Sequence, residues 1–447
     1  MQQLLKATHR IRDPIYGYIW LTDTELELVD TPVFQRLRRI SQLALTKYVY
    51  PTAEHSRFVH SLGVVKAATN IFHEVLKFNP DIFNNDAQEL QKHLQIVRFA
   101  ALLHDIGHMT FFHAAEQVFL DGNFTHEDIG KYIIQNNPSI SNKIEKDGIK
   151  PQIVASLLKG KPLKKYSLLK KFISGEFDAD RADFLLRDSY FCGVKYGEYD
   201  YIRYAGSFRI IPDKDRQAVF AIEKGNLHAV EAFLLARYLY YLQVPFHRTR
   251  RGFDIILERY FNDLREREKL PESGIKIDNS NIDIDFDRFQ FFDDYTVFEQ
   301  IKKDVVEKNP WALILMRQDR LHPVFDTERN DKGDKNDFYD LQEQLAKHGL
   351  KENQDFFCFS KKVEVHKILE NSDEMGEGAY AVVDKAEDNK LIGTILDHSS
   401  LLISTKKNPA YIRRIYLTSS AREKAKQALV QFRKNLNARE KRKKGGK

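Results

Sequence analysis

The spacing of apolar residues predicts that roughly the first 270 residues are mainly helical. From Thr22 to about Leu45, apolar side chains recur every three to five residues, the period expected for one face of a helix. Within this stretch, Pro32 suits the first turn of a helix, with Asp30 or Thr31 as its cap. Further helical patterns cover residues 61–77, 87–105, 110–120, 126–136, 150–158, 164–190, 227–244 and 252–267.

Short apolar runs predict strands at the beginning of the chain and in its last third. In residues 1–22, Pro14 and Gly17 mark a turn, and the alternation that follows favours a short strand or hairpin. The composition shifts near residues 270–274, and a helical pattern at Val297–Asn309 follows. Beyond it, strands are predicted at Trp311–Met316, Phe356–Cys358, Ala379–Val383, Ile392–Leu396 and Tyr411–Leu417.

These patterns predict a mainly α protein with a smaller α+β region. We place a helical domain with an N-terminal hairpin at residues 1–270, the α+β region at 271–420, and a terminal helix with a basic tail at 421–447. The charged segment Asp326–Asp337 is expected to be an exposed loop. An amphipathic helix is predicted at Ser419–Ala438, followed by a frayed tail.

Composition narrows the classes of protein that the chain can belong to. Its 447 residues are 42% hydrophobic, which is ordinary for a globular protein of two or three domains. The net charge of +6 allows an anionic ligand without requiring nucleic acid, and much of it lies in Arg439–Lys444. Two cysteines, Cys192 and Cys358, cannot form a disulfide framework. With no membrane-length apolar run and no signal pattern, we expect a cytoplasmic protein without a membrane partner.

A His-Asp pair, His104 and Asp105, ends the apolar run that begins at Ala101. A neutral imidazole and a carboxylate are both good ligands for a divalent metal, but two ligands are too few for a site. Upstream, His60 begins a helical run; downstream, Asp180 lies in an aspartate-rich helical stretch. A site of His60, His104, Asp105 and Asp180 would leave Mn, Mg, Fe, Ni and Zn open, because all of them accept mixed N/O ligands.

The order His, His-Asp, Asp resembles that of the HD superfamily of metal-dependent phosphohydrolases. Within it, the chain is most similar to the deoxynucleoside triphosphate triphosphohydrolases. Because the matching blocks begin near residue 9, we expect no SAM domain ahead of them. The blocks run in family order through about residue 260, and they are Asp13–Ile19, Asp30–Arg38, Tyr50–Pro51, His55–Val64, His104–His108 and Asp180–Phe184.

The resemblance implies a helical HD core and attack at the α-phosphorus of a dNTP, which releases a deoxynucleoside and triphosphate. By the same resemblance, His108, His113 and His126 match active-site histidines. We expect His113 to donate the proton to the 5′-oxygen, with Glu116 and His126 supporting it, although the assignment among the three histidines stays open. An alternative for His126 is a place in the first turn of a helix capped by Thr125.

Arginines and a set of sugar contacts complete the expected substrate site. Arg57, Arg181 and Arg237 are candidates for neutralising the phosphates, since a guanidinium binds phosphate with a fixed fork. The resemblance implies that Gln42 and Asp188 bind the sugar 3′-hydroxyl. It also places Leu43 where a ribose 2′-hydroxyl would fall. Phe184 replaces the tyrosine of some relatives, so it can pack on the sugar without hydrogen bonding to it.

Some members of the family are oligomers activated by a nucleotide bound between subunits. Asp30, Gln35 and Arg38 match residues that hold a guanine-type activator, and His9 and Arg10 stand where a basic residue is expected. The resemblance therefore implies a dGTP or GTP activator and a dimer or tetramer. As an alternative, Arg38 is a surface partner of Asp30 or of another acidic residue, Glu27, on its own helix.

Other interpretations remain open at this stage. The chain could be a different HD phosphohydrolase, acting on nucleoside monophosphates, cyclic nucleotides or alarmones. It could also be a nucleotide-sensing or nucleic-acid-binding protein with a basic tail. For single residues, the structural alternatives are capping or ion pairing for Asp178 and Asp183, and an interface rather than substrate contact for His247. The Tyr238, Tyr240 and Tyr241 cluster is expected to be core.

Overall fold

The chain folds into short β-strands and a larger number of helices. In the computed structural model, the described residues are 4–80, 86–111, 113–120, 124–212, 218–278, 281–327, 332–366, 368, 380–407 and 409–444. The strands are β1 (His9–Asp13), β2 (Gly17–Leu21), β3 (Phe208–Pro212), β4 (Ala218–Glu223), β5 (Ile275–Asp278), β6 (Asn281–Ile284), β7 (His322–Thr327), β8 (Phe356–Val363), β9 (Ala381–Asp384), β10 (Lys390–Thr394) and β11 (Ala410–Leu417).

Helices dominate the described residues, which confirms the mainly α prediction. They are α1 (Asp23–Val29), α2 (Pro32–Gln35), α3 (Arg57–Phe78), α4 (Ala87–Leu103), α5 (His113–Phe119), α6 (His126–Asn136), α7 (Pro138–Lys146), α8 (Pro151–Leu158), α9 (Ser167–Lys170), α10 (Ala179–Cys192), α11 (Tyr201–Ala205), α12 (Leu227–Gln243), α13 (Arg248–Glu266), α14 (Phe286–Phe289), α15 (Asp294–Val306), α16 (Pro310–Leu315), α17 (Lys332–Lys347), α18 (Ile395–His398), α19 (Ser400–Lys407) and α20 (Arg422–Lys444).

The helix α3 lies at the centre of the first part and packs against α4 and α10. It is buried along most of its length, because apolar and small side chains occupy nearly all of its faces. Gly63 allows α10 to approach closely: a Cβ at this position would lie 2.0 Å from Asp183 Oδ1 and 2.2 Å from Arg187 Nη2. The sequence thus brings two charged side chains of α10 against the middle of α3.

Two long helical predictions are interrupted in the structure. The stretch from Thr22 to Leu45 contains α1, α2 and short 3-10 turns, because Pro32 lacks an amide hydrogen and keeps Thr31 extended at ψ 144°. Pro32 nevertheless occupies the first turn of α2, as predicted. The pattern at 164–190 breaks before α10, since the Asp178 side chain accepts a hydrogen bond from the Arg181 amide and caps a new helix.

The strand predictions of the last third are confirmed at β8, β9 and β11 but wrong at Trp311–Met316. That segment forms α16, because Asn309 caps it through the amides of Trp311 and Ala312, and Pro310 occupies its first turn. The prediction at Ile392–Leu396 is half right. There β10 ends at Thr394, whose capping box with Asp397 starts α18.

Two sheets organise the α+β portion. One has the order β10-β9-β4-β3, with β4 and β9 parallel, so it joins residues from both sides of position 270. The strands β3 and β4 were not predicted. The other sheet, β7-β11-β8, packs with α17 and α20 around a separate apolar cluster. The division of the chain into domains at residues 270 and 420 remains a prediction.

The segments expected to be loop and frayed tail contain helix. Within Asp326–Asp337, β7 extends to Thr327 and α17 begins at Lys332, and residues 328–331 lie outside the described part. The helix α20 continues to Lys444, and Arg439 anchors it with Nη1 2.7 Å from Asp337 and Nη2 3.1 Å from Asp340. Among the described residues, no helix has both the length and the apolarity to cross a bilayer.

Candidate active site

The four residues predicted as metal ligands meet at one point between α3, α10 and the end of α4. The Nε2 atom of His60 lies 3.2 Å from His104 Nε2 and 3.0 Å from Asp180 Oδ1. The Oδ1 atom of Asp105 lies 3.3 Å from His104 Nε2, which is itself 3.8 Å from Asp180 Oδ1. Donor atoms of His60, His104 and Asp105 therefore lie within the span of a single ion, and Asp180 adjoins the two imidazoles, a donor set that suits a divalent cation.

Neighbouring groups orient the two imidazole rings of this cluster. His60 Nδ1 lies 2.8 Å from Asp183 Oδ2, and His104 Nδ1 lies 2.8 Å from the Ala101 carbonyl oxygen. Because these oxygens accept hydrogen bonds, each Nδ1 donates its hydrogen and each Nε2 faces the cluster. Such outer hydrogen bonds fix the tautomer and orientation of metal-binding histidines. Asp183 therefore has the structural role that the sequence allowed, because it orients His60 within the cluster.

The electrostatics of the cluster favour positive charge at its centre. Burial lowers the pKa of His60, but the hydrogen bonds that His60 donates to Asp180 and Asp183 outweigh burial and raise the pKa to about 10. For Asp180, burial raises the pKa, yet the contact with His60 lowers it to about 2. Arg57 holds the pKa of Asp105 well below its usual range against burial. A divalent cation would supply the positive charge that this arrangement attracts.

A second group of side chains lies beside the first. The rings of His108 and His126 stack with centroids 3.7 Å apart, and His126 Nδ1 donates a hydrogen bond to Glu116 Oε1 at 2.8 Å. His108 Nε2 lies 3.2 Å from Asp105 Oδ1, and burial holds the pKa of His108 well below its usual range. The structure thus brings three of the four predicted catalytic residues together. The side chain of the fourth, His113, lies outside the described part.

Replacement of Gly107 by alanine is expected to disrupt this second group. A Cβ at Gly107 would lie 2.2 Å from the Gly130 amide nitrogen and 2.2 Å from the His126 carbonyl oxygen, both in the backbone of α6. Such overpacking costs about 1–3 kcal/mol, and α6 has to move, which separates His126 from His108. Urea unfolding and turnover would both report the change.

Gly130→Ala is the matched control for that experiment, because it adds a methyl group to the opposite side of the same contact. Its Cβ would find the nearest atom at 3.6 Å, which is ordinary packing. A Gly107→Ala protein with the unfolding free energy and turnover of the wild type would contradict the close packing of the two segments.

A cavity of about 600 Å³ adjoins the metal cluster. Main-chain hydrogen bonds hold one of its walls, from Gln42 N to the His55 carbonyl and from Arg57 N to the Ile40 carbonyl. The cavity also opens onto His108 and His126. Six of the seven predicted substrate residues line it, and they are Gln42, Leu43, Arg57, Arg181, Phe184 and Asp188.

The three predicted phosphate-binding arginines are placed differently. Arg57 donates from Nη1 to Asp105 Oδ2 at 2.5 Å, directly beside the metal cluster. Arg181 donates to Asp178 and to the Gly175 carbonyl oxygen. Arg237 does not line the cavity: its Nη2 donates to Glu176 Oε1 at 2.6 Å and to the Val365 carbonyl at 2.9 Å. The structure therefore does not bring Arg237 to the site, because the Glu176 carboxylate engages it.

His55 and Tyr240, for which the sequence predicts no role in the site, hold Asp188, the residue predicted to bind the sugar. Asp188 Oδ1 lies 2.7 Å from His55 Nε2, and its Oδ2 accepts a 2.5 Å hydrogen bond from the Tyr240 hydroxyl. Tyr240 is buried in the core, as predicted, and Tyr238 and Tyr241 pack against that core, but Tyr240 and Tyr241 also line the cavity. His55 precedes the Ser-Arg-Phe-Val-His block that includes His60, and this adjacency was the one available sign of its role.

The residues matched to a nucleotide activator lie away from this cavity. Arg38 donates from Nε to Gln35 Oε1 at 2.7 Å and lies 3.5 Å above the Phe58 ring. Arg10 and Asp30 are exposed. The hydrogen-bond partner of Arg38 is therefore Gln35 rather than Asp30 or Glu27, because Gln35 lies three residues before it, at the end of α2. The sequence allowed a substrate contact for His247, but this residue caps the N-terminus of α13 and does not line the cavity.

Part of the chain matches a known protein family, and several known proteins are similar to it. The HD domain family model matches residues 57–173, which contain three of the four clustered metal donors. The chain is 36% identical over 266 residues to the uncharacterized protein YwfO of Bacillus subtilis, covering 59% of this chain and 57% of that protein. It is 32% identical over 251 residues to the human deoxynucleoside triphosphate triphosphohydrolase SAMHD1, covering 49% and 39%. The chain thus spans less than two thirds of both curated relatives.

A solved structure extends the comparison to nearly the whole chain. A hypothetical protein from Aquifex aeolicus superimposes with a TM-score of 0.74 at 26% identity, covering 94% of this chain and 99% of that one. The shared fold therefore includes the α+β portion as well as the helical part. The chain carries an HD domain at residues 57–173, and it is similar to deoxynucleoside triphosphate triphosphohydrolases.

Proposed function

We propose that this protein hydrolyses deoxynucleoside triphosphates to a deoxynucleoside and triphosphate, with a divalent cation held by His60, His104, Asp105 and Asp180. One observation carries the proposal. His60, His104 and Asp105 converge with Asp180 beside them at the wall of a cavity of about 600 Å³, which also presents cationic and histidine side chains. The similarity to the human triphosphohydrolase supports the choice of substrate class.

The cluster would hold the metal that acts as a Lewis acid, and the arginines would neutralise the negative charge of the phosphates. A divalent cation, when bound, lowers the pKa of a water and polarises a phosphoryl oxygen. Arg57 keeps its guanidinium next to Asp105, where it can bind a phosphate oxygen, and Arg181 lines the same cavity. Mixed nitrogen and oxygen donors suit Mn, Mg, Fe, Ni and Zn alike.

Cleavage of the bond to the 5′-oxygen also requires a proton for the leaving group. His113 remains the predicted donor. His126, which Glu116 orients through a 2.8 Å hydrogen bond, lines the cavity and can support or replace that donor. His108 lines the same cavity beside Asp105, where its imidazole can form a hydrogen bond with the substrate.

The sugar is expected to lie against Asp188 and Gln42. His55 and Tyr240 hold both carboxylate oxygens of Asp188, so the carboxylate has a fixed orientation from which to accept the 3′-hydroxyl. Leu43 supplies an apolar wall that disfavours a 2′-hydroxyl, because a buried hydroxyl without a partner costs free energy. Phe184 packs 5.9 Å from the Tyr240 ring and completes this wall.

The proposal includes activation by a guanine nucleotide and assembly into a dimer or tetramer. The four residues concerned, Arg10, Asp30, Gln35 and Arg38, lie outside the cavity. Gln35 and Arg38 are preorganised by their mutual hydrogen bond and by the Val29 carbonyl, to which Gln35 donates at 2.8 Å. An aspartate accepts from the N1–H and amino group of guanine, which gives Asp30 its role.

A product assay tests this function directly. Purified protein would be incubated with each dNTP, NTP and NMP in Mn²⁺ or Mg²⁺, with and without dGTP, and the products separated by ion-exchange chromatography. We expect deoxynucleoside plus intact triphosphate from dNTPs, and faster turnover with dGTP present. The matching NTPs serve as controls and are expected to react at least about tenfold more slowly, because the 2′-hydroxyl meets the Leu43 wall.

The same assay distinguishes the competing functions. Orthophosphate or pyrophosphate as the only phosphorus product would reject the triphosphohydrolase. Hydrolysis confined to NMPs would favour a different phosphohydrolase. Complete inactivity, together with salt-resistant binding of single-stranded DNA or RNA, would favour a nucleic-acid-binding protein.

A further inference from the structure

The helix α13 forms one wall of the cavity. A series of aromatic contacts connects this wall with α10. Phe184 lies one turn of α10 beyond Asp180, and its ring is 6.4 Å from that of Tyr241. Tyr241 lies 6.1 Å from Phe246, which lies 6.2 Å from Phe359. Arg251 of α13 stands over the Phe359 ring at 4.5 Å, so it occupies the end of this series.

Charged side chains of α13 line this wall of the cavity and follow one another at helical spacing. Arg251, Asp254 and Glu258 are three and four residues apart, which places them on one helix face, and all three line the cavity. Asp254 accepts from Arg251 Nη1 at 2.8 Å and lies 2.7 Å from Arg250 Nη1, so it holds both guanidinium groups in place. The wall therefore presents fixed donors next to an acceptor.

Two atoms of this wall have bonding capacity left. The Nε of Arg251 is buried and has no hydrogen-bond partner among the described residues. Glu258 is exposed, and no described side chain pairs with its carboxylate. The Arg251 side chain as a whole keeps 31% of its surface exposed, so a ligand in the cavity can reach its guanidinium group. Neither residue belongs to the metal cluster, to the histidine group or to the predicted sugar and phosphate contacts.

We propose that this face of α13 reads the base of the substrate and favours guanine. The inference rests on the proposed function, because it places the sugar at Asp188 and hence the base beyond Tyr240, towards α13. Guanine has adjacent acceptors at N7 and O6, which match an arginine fork, and adjacent donors at N1–H and the 2-amino group, which match a carboxylate. Among the four bases, guanine alone offers both an adjacent pair of acceptors for Arg251 and an adjacent pair of donors for Glu258.

Substrate analogues that lack one guanine atom test each residue separately. dITP lacks the 2-amino group that Glu258 would bind, and 7-deaza-dGTP lacks the N7 that Arg251 would bind. For the wild-type protein we expect kcat/KM to fall roughly fivefold to a hundredfold from dGTP to each analogue. Glu258→Ala should abolish the discrimination against dITP alone, and Arg251→Ala the discrimination against 7-deaza-dGTP alone.

The controls are Arg248→Ala and Glu266→Ala, which remove the same residue types from exposed positions of α13 outside the cavity. Both should keep the wild-type ratios. Turnover of dTTP shows that each variant is folded and active. Unchanged analogue ratios in Arg251→Ala and Glu258→Ala, or a wild-type preference for another base, would overturn the inference while leaving the triphosphohydrolase intact. Failure of the wild type to release triphosphate from any dNTP would overturn both.

Discussion

Replacing His104 or Asp105 by alanine is expected to abolish both metal binding and turnover. Each substitution deletes one donor from a cluster whose atoms lie 3.0–3.8 Å apart. Loss of an outer hydrogen bond alone costs 10–100-fold in metal affinity or activity, so loss of a ligand should cost more than about a hundredfold. Metal content after dialysis, measured by atomic emission, and kcat/KM with Mn²⁺ are the two readouts.

Matched controls separate this effect from general damage. His228 has a side chain that is 94% exposed, and Asp287 is exposed on α14, so His228→Ala and Asp287→Ala remove the same residue types away from the site. Both should retain metal and activity. Full turnover by His104→Ala or Asp105→Ala, with metal still bound, would refute the assignment of the ligands.

Asp183→Ala is expected to have the largest effect on stability. Asp183 is fully buried, accepts two hydrogen bonds from Arg187 at 2.8 and 2.9 Å, and orients His60. Removal of one partner from a buried ion pair costs about 3–5 kcal/mol, because the remaining charge stays buried. Arg187 keeps Asp13 at 2.8 Å as its other partner, which limits the loss. Urea unfolding measures the change.

A second variant keeps this prediction testable if the alanine protein does not fold. Asp183→Asn retains the shape and one acceptor but removes the charge, so it should lose less stability and still weaken metal binding through His60. Asp287→Ala is again the control, and it should unfold as the wild type does. Wild-type urea midpoints for both Asp183 variants would show that the buried network contributes little.

Local sequence patterns predicted much of the fold correctly. The hairpin β1–β2 and most helices follow from turn residues and apolar spacing, both of which act over a few residues. The pattern failed at Trp311–Met316, where an apolar run looked like a strand but Asn309 and Pro310 start a helix. It also missed β3 and β4. A four-stranded sheet supplies the pairing of these strands, and two of its members come from beyond residue 380.

The residues of the candidate site were likewise only partly predictable from the sequence. The types of the four metal donors and their order were evident from the sequence, and the structure brings them together. Arg237, which the sequence placed with the substrate, is instead engaged by Glu176 and the Val365 carbonyl. Conversely, His55 and Tyr240 hold Asp188 from positions 133 and 52 residues away, a distance over which no local pattern extends.

From the sequence we could predict a mainly helical chain and the side chains proposed for its chemistry: two histidines and two carboxylates suited to a divalent metal, and further histidines as candidates for proton transfer. The folded structure was needed to show which of these side chains share a cavity and which are engaged elsewhere. The physical reason is that hydrogen bonds and ion pairs require atoms to lie within about 3–4 Å of one another, and that proximity is set by packing between distant segments. The cavity wall formed by α13, with Arg251 and Glu258, could be recognised only from this packing.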